Sequence, residues 1–267
     1  MRRARLLLGL LAAAFILLRY TLAYFALRCL GRQAPLAPTP RFHQLICWGL
    51  NLRVRVHGPA FSPSTLIVSN HLSWLDIPAL ATIWPMVFVA KSDVGGNFFG
   101  NALARIQGVV FVERRRLKSI LRVNDEIGAA LARGACVALF AEATTGDGNR
   151  LLRFRSSHFE PLVVAGAPAG VRSPKRVQPV FLRYSRLAGL PIGRAQMPVA
   201  AWYGNMTFLP HLRRYLSFAG IQCEIFIGQS FDISEQADRK LLAEISHSAV
   251  RALALAAKRG AGAIPAE

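Results

Sequence analysis

The sequence predicts an α/β domain with a central mixed sheet flanked by helices, preceded by an N-terminal membrane-associated helical segment. Three observations carry this. Apolar, strand-like runs alternate with helical segments from residue 52 onward, the pattern that builds a sheet covered by helices. A hydrophobic share of 53% over 267 residues can bury a full core without disulfide staples. The first acidic residue is Asp76, after nine arginines and a long apolar run, so the N-terminal stretch differs from the rest in charge and hydropathy together.

The chain opens with "MRRAR", then 13 apolar residues from Leu6 to Leu18; Arg19 interrupts and "YTLAYFAL" continues. Leu6 to Ala26 is 21 residues, about 31 Å of helix against a bilayer core of about 30 Å. An arginine in the middle disfavours crossing by about 2.5–3.5 kcal/mol. A single span, a helix lying in the interface or dipping into one leaflet, and a cleaved signal peptide all compete. "TLA" is a poor cleavage site. Basic residues flank both ends (Arg2, Arg3 and Arg5; Arg28, Arg32 and Arg41), and the positive-inside tendency places both flanks on the cytoplasmic side, which favours the interfacial helix. Arginine-rich composition alone accounts for the arginines but not for the lack of acids. Residues 1–31 therefore read as a membrane-anchoring segment and 32–40, "RQAPLAPTP", as a linker. Residues 41–260 read as the globular domain and 261–267 as a flexible tail.

Within the domain, "LRVRVHG" alternates as a strand does. "TLIVSN" is a short apolar strand, and "WLDIPALATI" a short helix with Asp76 in its first turn. "MVFVAKSD" and "GVVFVER" are strands; "SILRVNDEIGAALARG" is a helix stopped by Gly134. "ACVALFAEA" is a buried strand, and "RVQPVFLRYS" and "QCEIFIGQSF" are later ones. The C-terminal helix runs through residues 234–259 with Ser234 as its N-cap. The four cysteines show no short spacing that would suggest a zinc site or a redox pair, and no metal or bound cofactor is expected. The net charge of +19 points to polyanionic partners. Aromatics are not interleaved with the basic clusters, so nucleic acid is not expected among them.

Chemistry concentrates at strand ends. His71 follows a strand, and Asp76 stands five residues on, close enough to fold back on the ring. A carboxylate at Nδ1–H fixes the tautomer and leaves Nε2 as a general base; a capping aspartate beside a satisfied loop histidine would give the same spacing. Arg114 ends "FVER" and suits a phosphate or carboxylate, or a solvated basic face. "LFAEATTGDG" runs a strand into Glu142, Thr144 and Thr145 and a glycine-bearing loop, an anion cradle or an ordinary turn. Pro179 inside a strand-like run marks an edge or a bulge.

In this order the pieces resemble the glycerolipid acyltransferase family. Its NHxxxxD block is present as Asn70, His71 and Asp76; its GxxFxxR block as Gly108, Phe111 and Arg114, with the upstream lysine at Lys91. Its FPEGTxS block appears as "FAEATTG", keeping Phe140, Glu142 and Thr144 but carrying Ala141, Ala143 and Gly146; its strand proline is Pro179. "TTGDGNRLLRFRSSHF" and "AWYGNMTFLPHL" resemble the branch that acylates lyso-ornithine lipids. The resemblance implies transfer of a fatty acyl group from acyl carrier protein or coenzyme A thioester to a lysolipid hydroxyl, either lysophosphatidic acid or lyso-ornithine lipid. His71 and Asp76 would be catalytic, and Asn70, Lys91, Arg114, Glu142, Thr144, Thr145 and Pro179 substrate-binding. It implies an inner-membrane enzyme with its catalytic domain on the cytoplasmic face. The alternatives are a thioester hydrolase using the same base on water, and an inactive membrane-binding homologue.

Overall fold

A computed structural model describes residues 2–30, 39–91, 109–112, 127, 130–142, 144–159, 176–233 and 238–260. Helix α1 spans Arg2–Cys29 and α2 Pro40–Leu50. They are followed by β1 (Leu52–His57), β2 (Leu66–Ser69), α3 (Asp76–Ala81), β3 (Met86–Lys91), β4 (Val109–Val112) and β5 (Cys136–Phe140). The long β6 (Arg176–Leu187) leads to β7 (Leu190–Pro191), α4 (Phe208–Leu216), β8 (Ile221–Ile227), β9 (Phe231–Asp232) and α5 (Arg239–Lys258).

The strands form one mixed sheet in the order β1-β8-β6-β2-β5-β3-β4, with β7 and β9 added along β6. β2 runs parallel to both neighbours, β5 and β6, and all four of its residues are buried, as a central strand covered on both faces must be. β6 pairs antiparallel with β8. Edge strand β1 turns Arg53 and Arg55 to solvent, which discourages further strand addition.

Alternation sorts the side chains into two layers. Leu66 and Val68 of β2, Val137 and Leu139 of β5 and Val177 of β6 face α5 through Leu242 and Val250. Ile67, Cys136, Ala138, Leu182 and Tyr184 face the opposite layer, with α2, α3 and the α4 region supplying Cys47, Leu75, Ala79 and Tyr215. Cys136 is a core residue whose thiol is pushed up to about 11 by burial.

The structure corrects some of these expectations and meets others. Pro40, expected to end a linker, opens α2, where a first-turn proline gives up no helical bond; residues 31–38 lie outside the described residues. Of the helix expected over residues 119–134, residues 127 and 130–132 are described and helical, and Gly134 follows at φ 77°. Ser234 lies outside the described residues, and Asp238 caps α5 by accepting from the amides of Lys240 and Leu241 at 2.8 and 2.7 Å. His43 of α2 is buried, and burial lowers its pKa to about 4. Pro179 sits where β6 passes from β9 to β8: its carbonyl accepts from Gly228 N at 2.9 Å, and the ladder is broken there on that side. A residue without an N–H loses nothing at such a break.

Helices α1 and α2 cross at two glycines. A Cβ on Gly9 would stand 2.5 Å from the Cα of Gly49. Arg5 donates to the carbonyl of Trp48 at 2.8 Å and stacks on its indole. On the far side α1 leaves Leu8, Leu11, Phe15, Leu18 and Leu22 exposed, a three-four spacing along one face. Among the described residues no helix is long and apolar enough to cross a membrane.

Candidate active site

The parallel strands β2, β3 and β5 bring their carboxyl ends to one edge of the sheet, where folds of this class place their chemistry. From β2 the chain leaves through Asn70 and His71 and turns into α3 at Asp76. From β5 it leaves through Ala141 and Glu142.

The turn from His71 to Asp76 is built on one carboxylate. Asp76 Oδ2 accepts from the amides of Leu72 and Ser73 at 2.6 and 2.8 Å and from His71 Nδ1 at 2.8 Å. Its other oxygen, Oδ1, accepts from the Tyr184 hydroxyl at 2.5 Å. Asp76 has no solvent exposure, whereas the His71 side chain keeps 20% of its surface accessible. Because Nδ1 is committed to the carboxylate, Nε2 is the free position of the ring, and no described residue bonds to it. The imidazole lies flat on Phe140, with centroids 4.0 Å apart and planes within 11°, so the strand that delivers Glu142 also supplies the surface that fixes the ring.

Asn70 and Glu142 act on backbone, not on an open cleft. The Asn70 amide accepts from Leu182 N at 2.8 Å and donates to Leu182 O at 3.0 Å, extending the β2–β6 pairing by one side chain. In this way its amide ties the end of β2 to β6. Glu142 accepts from His71 N at 2.8 Å and from Leu152 N at 2.6 Å, one bond to each oxygen. It is buried and holds the His71–Asp76 turn and the following loop together. Burial pushes its carboxyl up to about 7, against the pull of those two N–H donors, while the charge of Asp76 pushes the same way as burial. Gly146 N closes the clamp on His71 O at 2.8 Å. A Cβ at Gly146 would meet nothing nearer than 3.7 Å, so the glycine is not required by crowding.

Thr144 is exposed and Thr145 half-exposed, on the same loop. Ala141 is buried and in the ladder to Ser69, whereas Ala143 lies outside the described residues. Lys91 pairs with Val112 at the end of β3, which puts it at the same sheet edge; its side chain and the whole of Arg114 and Gly108 lie outside the described residues. Pro179 is buried in β6, at the ladder break described above.

Two features were not anticipated. Tyr184, at the end of "VQPVFLRY", reads in sequence as one more strand aromatic. His211 has a place in the fold: the Trp74 indole donates to its Nδ1 at 3.0 Å, and its Nε2 stands 3.2 Å from Ala201 O. Together with Trp202 N donating to Leu72 O at 2.8 Å, this fastens residues 201–211 to the His71–Asp76 turn.

Residues 53–177 match the model of the acyltransferase family. The chain is 39% identical over 79% of its length to a lyso-ornithine lipid O-acyltransferase of Rhizobium meliloti, covering 72% of that protein. It is 36% identical to the protein of the same name from Brucella abortus, over 82% of each chain. A 1-acyl-sn-glycerol-3-phosphate acyltransferase of Neisseria gonorrhoeae is 28% identical over 76% of this chain and 74% of its own. The crystal structure of the 1-acyl-sn-glycerophosphate acyltransferase PlsC from Thermotoga maritima superposes with a TM-score of 0.50 at 17% identity, covering 96% of this chain and 97% of that one, which shows a common fold.

Proposed function

The chain belongs to the acyltransferase family and is a lysolipid acyltransferase, and from that premise we propose that it esterifies the hydroxyl of a lyso-ornithine lipid at a membrane surface. The observation that carries the chemistry is His71, with Nδ1 held by a buried aspartate at 2.8 Å and Nε2 free. Nε2 takes the proton of the acceptor hydroxyl. The oxygen attacks the thioester carbonyl, the C–S bond breaks, and the departing thiolate receives the proton from the imidazolium. General-base assistance of this kind contributes about 10²–10⁴ in rate. Acyl carrier protein and coenzyme A present the same thioester, so either serves as donor. The lyso-ornithine acceptor is favoured over lysophosphatidic acid because the two relatives at 39% and 36% identity carry that name. Lys91, Arg114, Thr144 and Thr145 are the groups proposed to meet the acceptor's polar head.

Membrane association is proposed through α1, whose exposed leucines and Phe15 form one apolar face while its packed face holds α2. With arginines on both sides of the segment, the catalytic domain lies on the cytoplasmic face of the inner membrane.

The test is acyl transfer in vitro, with acyl carrier protein and coenzyme A thioesters in separate arms and with lyso-ornithine lipid, lysophosphatidate or no acceptor. Product is expected with lyso-ornithine lipid and none with His71→Ala, which stays folded. Thioester cleavage at the same rate without acceptor would make the protein a hydrolase instead, and full transfer by His71→Ala would remove the general base.

A further inference from the structure

Asp76 is the only charged group in contact with the catalytic imidazole among the described residues, and its two oxygens are used unequally. Oδ2 carries three donors: the ring of His71 and the two amides of its own turn. Those three bonds are local, spanning five residues or fewer. Oδ1 carries one, from a residue 108 positions away. We propose that Tyr184 is a positioning residue of the reaction, whose hydroxyl fixes the rotation of the Asp76 carboxylate and sets how strongly that carboxylate holds the proton of His71; this rests on the general-base reading above.

Tyr184 is placed for this by the strands. Asn70 bonds both backbone groups of Leu182, two residues earlier on β6. Leu182 and Tyr184 share one face of the strand, so the clamp that starts the catalytic turn also brings the tyrosine beneath its end. Tyr184 is 2% exposed, and no other bond engages its hydroxyl among the described residues. Burial first, and then the charge of Asp76, keep that hydroxyl protonated and hence a donor. A short bond to a buried carboxylate is of the strong, charge-assisted kind.

The consequence concerns both halves of the cycle. His71 must take a proton from the acceptor and then release it to the thiolate. A carboxylate with one free oxygen in an apolar site would bind the imidazolium more tightly and slow the release. Tyr184 spreads that negative charge. The other titratable groups around the pair are Glu142, bonded to His71 N, and the thiol of Cys223, which pairs with Tyr184 in the β6–β8 ladder and is driven well up by burial and next by Asp76. Tyr215 also lies on this face of the sheet, with its hydroxyl spent on Leu50 O at 3.0 Å.

The experiment uses the full chain with nitrogen-15-labelled histidine, reading the titration of the His71 ring by NMR beside steady-state kinetics. Tyr184→Phe keeps the ring and removes the hydroxyl. It is expected to lower kcat about tenfold, to leave both KM values within about twofold, and to raise the His71 titration midpoint by about half a pH unit. A 3-fluorotyrosine at position 184 fills the same space with a stronger donor, and is expected to move the midpoint the other way. It also covers the case in which the Phe variant does not fold. Midpoints that stay put in both proteins, or a kcat loss that follows only a loss of folded protein, would overturn the assignment. His71→Ala separates the two readings: if it is inactive and the midpoints do not move, the general base stands and the role of Tyr184 falls.

Discussion

At the residue scale, Glu142 sets a conflict between burial and hydrogen bonding that pH exposes. Its carboxyl is raised from 4.5 to about 7, mainly by burial. An acid whose folded pKa is raised holds its proton longer in the folded state than in the unfolded one. Its cost to stability is absent below about 4.5, grows as pH rises to about 7, and is constant above that; the span is on the order of 3 kcal/mol. Glu142→Gln cannot titrate, so its unfolding free energy, measured by urea denaturation at a series of pH values, should lose this slope. The amide can accept from His71 N or from Leu152 N but not from both. One buried N–H is left unpaired, at a cost of about 1–3 kcal/mol, and turnover should fall because the turn that carries the proposed base His71 is released on that side. Parallel stability curves for the two proteins between pH 5 and 7 would show that Glu142 is ionised throughout, with its two N–H donors outweighing burial.

At the scale of elements, the glycine crossing of α1 on α2 is the contact most open to a single change. At Gly9 any side chain meets the Gly49 backbone at 2.5 Å, and helix backbone cannot step aside as a flexible side chain would. Gly9→Val should lift α1 off α2 and separate Arg5 from Trp48 while leaving the sheet intact. Trp48 fluorescence should change and cleavage by trypsin between the two helices should speed up, with the urea midpoint of the domain unchanged; identical fluorescence and cleavage would mean that the crossing tolerates a Cβ. The elements that were legible in the sequence are those with a local signature. β1 alternates, β2 and β5 are short apolar runs ending in polar residues, and Asp76 marks the start of α3. Helices α2 and α4 were not legible: each carries a proline, Pro40 or Pro210, a residue that disfavours helix interiors but is tolerated in a first turn, where the helix needs no N–H. The His71–Asp76 contact was legible for the same reason as the strands: five residues of spacing fix its geometry. Its supports were not. Asn70 meets Leu182 across 112 residues and Asp76 meets Tyr184 across 108. Only the strand order β6-β2-β5 brings them together, and neither residue type announces a partner.

Over the whole molecule, charge and apolar surface coincide in a way that one sheet layer explains. Helices α1, α2 and α4 lie on the side of the sheet opposite α5, and α4 is tied to α2 by Tyr215. This side exposes the α1 stripe, Trp48, Leu209, Leu216 and Phe218 beside Arg213 and Arg214. The sequence has no acidic residue from 1 to 75 or from 161 to 223, so the net charge of +19 is strongly biased toward these segments. If α1 is the proposed membrane contact, two forces of different range act at an anionic bilayer. The basic residues attract over roughly a Debye length, about 10 Å at 0.1 M salt, and fade as salt rises. The apolar stripe acts only on contact, at about 1.5–3 kcal/mol per buried Leu or Phe, and salt does not screen it. Sedimentation with vesicles containing phosphatidylglycerol should therefore show binding at low salt that is weakened but not lost at about 0.5 M. Replacing Leu11, Phe15 and Leu18 by Ser removes the contact term and keeps the charge, so that protein should bind at low salt and release fully at high salt. Its turnover should fall at least tenfold on acceptor embedded in a bilayer, yet match the parent on a dispersed short-chain acceptor, because none of the three residues touches the His71 turn. Salt-resistant binding by the triple variant would move the membrane contact away from α1, and equal loss on both acceptors would make α1 a support of the catalytic domain instead of its anchor.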